Sequence, residues 1–160
     1  MIIWLTGQPG SGKTTLANLI IKSLKQDDKY LKIINLDGDD LRNINKNKDY
    51  SKEGRIKNIS TAISIIRFLG SKGYLCVVSI VAPYRFLRDE LKSEFPFLEV
   101  YLHTTEIRGR ENFFAKDYEI PLDKHLSIDT GKLDIEECTN EILNVYRKMA
   151  NVARRSPMVN

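Results

Sequence analysis

Gly7-Gln8-Pro9-Gly10-Ser11-Gly12-Lys13-Thr14 is the stretch on which the reading of this chain turns. It fits G-x-x-x-x-G-K-[ST], the pattern of a phosphate-binding loop. Its flanks suit that reading. Residues 1–6 are a short apolar run that predicts a buried strand, and residues 14–25 carry Leu16, Leu19, Ile20 and Leu24 at helical spacing. A strand–loop–helix unit aims backbone N–H groups and a helix N-terminus at one anion. Gly7, Gly10 and Gly12 would let the backbone approach without a Cβ in the way. The pattern therefore predicts ATP and Mg²⁺ as cofactors, with Gly7, Gly10, Ser11, Gly12, Lys13, Thr14 and Thr15 around the nucleotide. Lys13 would reach the β/γ-phosphates and the Thr14 hydroxyl the Mg²⁺. The alternative is a chance glycine-rich turn before an amphipathic helix.

Working outward, the chain alternates strand and helix. Strands are expected at 32–36, 74–81, 98–103 and 126–128, and helices at 52–70, 84–95 and 134–150. Residues 106–123 are polar and mixed, without a clear period. This order predicts an α/β fold of the P-loop kinase type, with a parallel five-stranded sheet covered by helices on both faces. The expected organisation is one domain over 1–150 and a frayed tail over 151–160, with Arg154-Arg155 a solvated end.

Composition narrows the classes. The chain has 160 residues and a net charge of +4, enough for one real core. Its basic residues are scattered, and no Lys/Arg run with interleaved aromatics suggests a nucleic-acid partner. No apolar stretch is long enough for a membrane. The N-terminus reads as a strand rather than a signal peptide. Cys76 and Cys138 lie in apolar and helical runs, as buried thiols in a reducing cytoplasm would. His103 and His125 have no Cys or carboxylate at ligand spacing and read as structural or surface residues.

Ligands of such sheets bind beyond the carboxyl ends of the strands. The second strand delivers Asp37 and Asp39 there, beside the expected Mg²⁺ and an acceptor hydroxyl. The same Asp37-Gly38-Asp39 reads as a turn with a helix cap, but phosphoryl transfer needs an acidic residue to orient the nucleophile. Arg42 follows at helical spacing. Arg55 and Asn58 share a face of the next helix and could hold a substrate phosphate and hydroxyl. In residues 106–123, Arg108, Arg110 and Lys116 could supply the cations that a lid over phosphates requires.

Several segments carry a family resemblance. Leu36-Asp37-Gly38-Asp39-Asp40-Leu41-Arg42 resembles the L-D-G-D-x-x-R signature of adenylylsulfate (APS) kinases. Ile44-Asn45-Lys46, Tyr50-Ser51 and Arg55 to Asn58 resemble that family's L-N-K-D-L-G-F-S-x-x-D-R-x-x-N. Val78-Ser79-Ile80-Val81-Ala82-Pro83-Tyr84-Arg85 is similar to its V-S-F-I-S-P-Y-R, and Ile128-Asp129-Thr130 with Glu136-Glu137-Cys138 to its I-D-T…E-E-C ending. The resemblance implies transfer of the ATP γ-phosphate to the ribose 3′-hydroxyl of a nucleotide bearing a small anhydride-linked group. It implies Lys13, Asp37 and Asp39 as catalytic residues, with Asp39 near the 3′-hydroxyl and Asp37 and Thr14 on the Mg²⁺ side. Arg42, Arg55, Asn58 and Lys116 would hold the acceptor, the Tyr50 ring would stack on its base, and Ile80, Val81 and Ala82 would line the pocket. Arg108, Arg110 and Thr130 would lie on the ATP side.

Two departures bear on the acceptor. Ala82 replaces the family serine of S-P-Y, which removes any phosphoserine scheme there; direct in-line transfer needs none. The long family lid with A-R-A-G-E-I and F-T-G-I-D-D-P-Y-E is reduced here to Arg108-Gly109-Arg110-Glu111-Asn112-Phe113-Phe114-Ala115-Lys116-Asp117-Tyr118-Glu119, without the family's second-aromatic segment. Cytidine diphosphoramidate kinases of bacterial capsule synthesis are relatives with a rewritten acceptor pocket, and the short lid with Tyr50 in place of Phe leans toward such an acceptor. An APS acceptor is the alternative, then another small-metabolite kinase. The expected partner is the acceptor nucleotide, with a homodimer left open. A GTPase-like switch is rejected: Asn45-Lys46-Asn47-Lys48-Asp49 is only superficially like N-K-x-D, since Lys48 and Tyr50 stand where the Asp should.

Overall fold

The computed structural model describes residues 1–155, with side chains through residue 153. Five parallel strands form one sheet: β1 (Ile2–Thr6), β2 (Ile33–Asp37), β3 (Leu75–Ser79), β4 (Phe97–His103) and β5 (His125–Asp129), in the spatial order β2-β3-β1-β4-β5. The helices are α1 (Lys13–Asp27), α2 (Gly38–Ile44), α3 (Lys52–Ser71), α4 (Arg85–Glu90) and α5 (Ile135–Arg155). The expected α/β architecture is the one observed.

Successive strand side chains point to opposite faces, and β1 feeds two cores in this way. Ile3 and Leu5 pack with Leu16, Ile20, Val77, Val100 and Ile142, under α1 and α5. Ile2 and Trp4 pack with Ile59, Ile63, Ile66 and Val78, under α3. All five residues of β1 are buried, as the centre of a doubly covered parallel sheet requires. Its carboxyl end therefore sits mid-edge, between Ser79 of β3 and Tyr101 of β4. The phosphate-loop stretch leaves from that point. Cys76 and Cys138 are both free and buried.

Most element boundaries shift by a residue or two from expectation, and three differences bear on the fold. The third strand stops at Ser79 rather than Val81, because the chain turns at Ala82, which has φ +41°. Helix α4 ends at Glu90 instead of running to 95. Lys92 is drawn to Asp89 and Glu99, and Phe95 precedes Pro96, where helical backbone is disfavoured. The closing helix continues past Ala150 to Arg155, so residues 151–155 are helical rather than frayed. The rest of the expected tail, and the side chains of Arg154 and Arg155, lie outside what is described. An element not expected as a helix, α2, starts directly after Asp37.

Candidate active site

The chain between Thr6 and α1 wraps tightly. Gly7 has φ +143°, and a Cβ there would lie 2.1 Å from the Leu102 carbonyl oxygen. Gly12, at φ +92°, turns the loop into the first turn of α1. Only glycine adopts these positions without strain. The Lys13 side chain folds back over the loop: Nζ donates to the carbonyls of Gly7 (3.0 Å) and Gln8 (2.8 Å) and to Ser11 Oγ (3.3 Å). Burial pushes the Lys13 pKa down to about 8, against the opposing pull of Asp37 and Asp39.

Asp37, at the end of β2, has two tasks. Its Oδ1 accepts from the Asp39 N–H at 2.9 Å and so caps α2. Its Oδ2 accepts from Thr14 Oγ1 and from Ser79 Oγ, each at 2.7 Å. The turn-and-cap reading and the Mg²⁺-side reading therefore describe different oxygens of one carboxylate. Ser79 meets it because Asp37 and Ser79 are register partners in the β2–β3 pair. The oxygen donors of Thr14 and Asp37 fit Mg²⁺, a hard ion bound through one or two protein groups with the rest supplied by phosphates and water.

From these groups a cavity of about 940 Å³ extends along the carboxyl edge of the sheet. Lys13, Thr14 and Thr15 are at one end and Tyr50, Arg55 and Phe113 at the other, with Asp37, Asp39 and Ile80 to Ala82 also on its walls. Asn58 is buried in the wall, and its Oδ1 has no hydrogen-bond partner among the described residues. Arg55, which a helical surface position would leave solvated, is also buried. It donates to the carbonyls of Tyr50 (3.0 Å) and Phe113 (3.1 Å). Arg42 lies over the Tyr50 ring, 4.2 Å from its centroid, and donates to the Asp49 carbonyl.

The lid segment contacts both the phosphate loop and the cavity. Arg108 donates to the Gly10 carbonyl (3.1 Å) and the Thr130 carbonyl (2.7 Å), flanking the phosphate loop from outside the main cavity. Thr130 Oγ1 donates to the Ser11 carbonyl at 3.3 Å. Arg110 pairs with Asp39 at 3.9 Å. Phe113, in a short 3-10 turn over Glu111–Phe113, stands 5.7 Å from the Tyr50 ring, tilted by 53°. The family's second-aromatic segment is absent, and of the lid aromatics Phe113 is the one that stands against Tyr50. Lys116, expected at the acceptor, is placed differently from the other lid cations. It is exposed and does not line the cavity, because Ala115 is pulled inward by Gln8 and turns the next residue out.

Three other contributors were not read from the sequence. They are Gln8, Ser79 and Arg88. The alignment of Ser79 with Asp37 follows from parallel register, so a strand-end comparison could have found it. Arg88 carries no sequence signal: it is fully buried, donating to Glu99 Oε1 (2.6 Å), the Ala82 carbonyl and the Glu119 carbonyl (2.6 Å).

The family model for adenylylsulphate kinase matches residues 1–123. The adenylyl-sulfate kinase of Lactiplantibacillus plantarum is 30% identical over 168 residues, covering 90% of this chain and 79% of that protein. The cytidine diphosphoramidate kinase of Campylobacter jejuni is 32% identical over 133 residues, covering 80% of this chain and 77% of that protein. Among solved structures, the Mycobacterium tuberculosis APS kinase CysC in complex with AMPPNP and APS superposes with a TM-score of 0.77 at 23% identity, over 91% of this chain and 96% of that one. That last likeness concerns the fold.

Proposed function

The chain belongs to the adenylylsulphate kinase family, and from that premise we propose that it moves the γ-phosphate of Mg·ATP to the ribose 3′-hydroxyl of a nucleotide carrying a small anhydride-linked group. As a member of this family it is an ATP- and Mg²⁺-dependent phosphotransferase. The observation that carries the acceptor reading is the single cavity joining Lys13 and Thr14 to Tyr50 and Arg55, with Asp37 and Asp39 on its wall. In this reading Lys13 and the loop hold the phosphates, and Thr14 and Asp37 hold the Mg²⁺. Asp39, mostly exposed in the cavity, orients the 3′-hydroxyl. Phosphoryl transfer needs little more than such positioning and charge. The unpaired Asn58 Oδ1 supports a hydroxyl-bearing ligand, since a buried carbonyl oxygen without a donor is costly until something fills it. Arg42 and Arg55 supply positive charge for the anhydride-linked phosphate.

For the base we favour a pyrimidine, as in cytidine diphosphoramidate. The Tyr50 and Phe113 centroids are 5.7 Å apart and tilted, closer than the roughly 7 Å that a base between two parallel rings at contact distance requires. Purine and pyrimidine are equally thick, so either must part the rings by the same amount; the lean to a pyrimidine rests on the shortened lid and on Tyr50 in place of the family Phe. The APS reading is favoured by a different observation, that two aromatic rings are present at all, as a sandwiched adenine needs.

The test is a comparison of kcat/KM for cytidine diphosphoramidate and APS at fixed Mg·ATP, following ADP release. A preference of tenfold or more for the cytidine compound is expected. A clear preference for APS sinks the pyrimidine reading, and turnover with neither nucleotide sinks the acceptor class.

A further inference from the structure

Gln8 occupies a variable position of the phosphate-loop pattern, yet its side chain points away from the loop's concave face and grips the lid. Gln8 Nε2 donates to the Ala115 carbonyl at 2.9 Å, and the Ala115 N–H donates to Gln8 Oε1 at 3.0 Å. A side-chain amide here pairs with a backbone amide as one strand pairs with another. Ala115 is buried, whereas Asn112, Phe113, Phe114 and Lys116 around it are exposed.

Downstream of Ala115 the chain is fastened independently. Tyr118 Oη is 2.7 Å from Thr6 Oγ1, the Glu119 N–H donates to the Pro83 carbonyl at 2.8 Å, and Arg88 donates to the Glu119 carbonyl at 2.6 Å. Upstream, the tip of the lid meets the acceptor end of the cavity through Phe113 and Arg110. Ala115 is thus the boundary between a fixed foot and an exposed flap, and Gln8 holds that boundary. The same residue's main-chain carbonyl accepts from Lys13 Nζ at 2.8 Å. One residue therefore touches the phosphate-binding lysine with its backbone and the acceptor lid with its side chain.

We propose that Gln8 is a positioning residue that sets where the lid closes on the acceptor, through its paired hydrogen bonds to Ala115. It acts through Phe113 and Arg110 and touches no reacting atom. The proposal rests on the reading that this lid covers the acceptor.

Two variants test it. Gln8→Leu keeps the bulk and removes both bonds. Gln8→Glu keeps an acceptor for the Ala115 N–H but has no donor for its carbonyl. In the nucleotide-free protein, Gln8→Leu should speed amide exchange at Ala115 by about tenfold, the scale on which one or two net hydrogen bonds act, while exchange in β1 stays unchanged. It should raise the acceptor KM by a similar factor and leave the Kd for a fluorescent ATP analogue within twofold. Gln8→Glu should fall between wild type and Gln8→Leu on both readouts. Unchanged exchange at Ala115 overturns the proposal. So does an equal loss of affinity for ATP and acceptor, which would mean that the substitution merely damages the phosphate loop. If wild-type protein turns over neither candidate nucleotide, the acceptor reading fails, and the exchange and ATP-binding results still judge Gln8.

Discussion

Lys13→Met should make the nucleotide-free protein more stable at pH 7 while abolishing transfer. Carrying an ammonium in a site that lowers its pKa from the ordinary 10.5 to about 8 costs the folded chain about 3 kcal/mol. Desolvation is the main cause, and the pull of Asp37 and Asp39 only partly offsets it. Methionine keeps most of the volume and removes the charge. It also leaves the Gly7 and Gln8 carbonyls without their donor, at about 1 kcal/mol each. The balance is a gain of about 1 kcal/mol. The pH dependence gives a second, sharper signature. Between about pH 8 and 10.5 the unfolded chain holds the Lys13 proton and the folded chain does not, so this group makes wild-type stability rise with pH through that window. The variant lacks the rise, and by pH 10.5 it should be the less stable protein by about 2 kcal/mol. Urea unfolding at pH 7, 9 and 10.5, followed by the fluorescence of the single, fully buried Trp4, measures both. A variant less stable than wild type at pH 7, with a difference that does not change with pH, would refute the argument that the loop holds a strained charge in readiness for phosphate.

Asp39→Asn should bind ATP with unchanged affinity and lose about a hundredfold in kcat, the scale of a positioned acid–base group; a normal rate would shift the role to Asp37 or away from the carboxylates. Arg88→Met should cost about 3 kcal/mol in the same unfolding assay, the low end for breaking a buried pair, since it leaves the buried Glu99 carboxylate to Lys92 alone and the Ala82 and Glu119 carbonyls without this donor. Adding Glu99→Gln should recover part of that loss, and no recovery would mean the ion pair is not its source.

The phosphate-loop end of the site was legible because its parts are contiguous. Gly7 through Thr14 are eight successive residues whose spacing is itself the geometry, and Asp37 follows from one rule about strand ends. The sheet was legible for a similar reason, as buried parallel strands read as continuous apolar runs. What could not be read depends on long-range closure. Nothing local distinguishes Arg88 from Arg85 in the sequence, yet one is fully buried on Glu99 and the other partly exposed beside Glu119. Lys116 looked like a lid cation because a lid over phosphates requires positive charge, and the Gln8–Ala115 pairing explains why it faces out. The expected length of the last helix failed for a plainer reason: periodicity fades at helix ends, and boundaries shift by a few residues.

The same contrast bears on how such a site can change acceptor. The phosphate-loop residues are covalently adjacent and held by glycine conformations that tolerate little substitution. The proposed acceptor end is a meeting of three separate segments. Tyr50 comes from the loop before α3, Ile80 to Ala82 from the turn after β3, and Phe113 from the lid. Their mutual positions are fixed by main-chain hydrogen bonds, from Arg55 to the Tyr50 and Phe113 carbonyls and from Arg88 to the Ala82 carbonyl. A bond to a carbonyl is indifferent to the side chain that the same residue carries. The exposed Tyr50 and Phe113 side chains can therefore be exchanged, or the lid shortened, while the two arginines keep the loops in register and Asp37 stays in place beside Thr14. On the proposed reading, the base of the acceptor is free to vary while the geometry of phosphoryl transfer is not. That is why the reaction class can be argued from the loop motif and the acceptor has to be argued from the separate loops that meet around Tyr50.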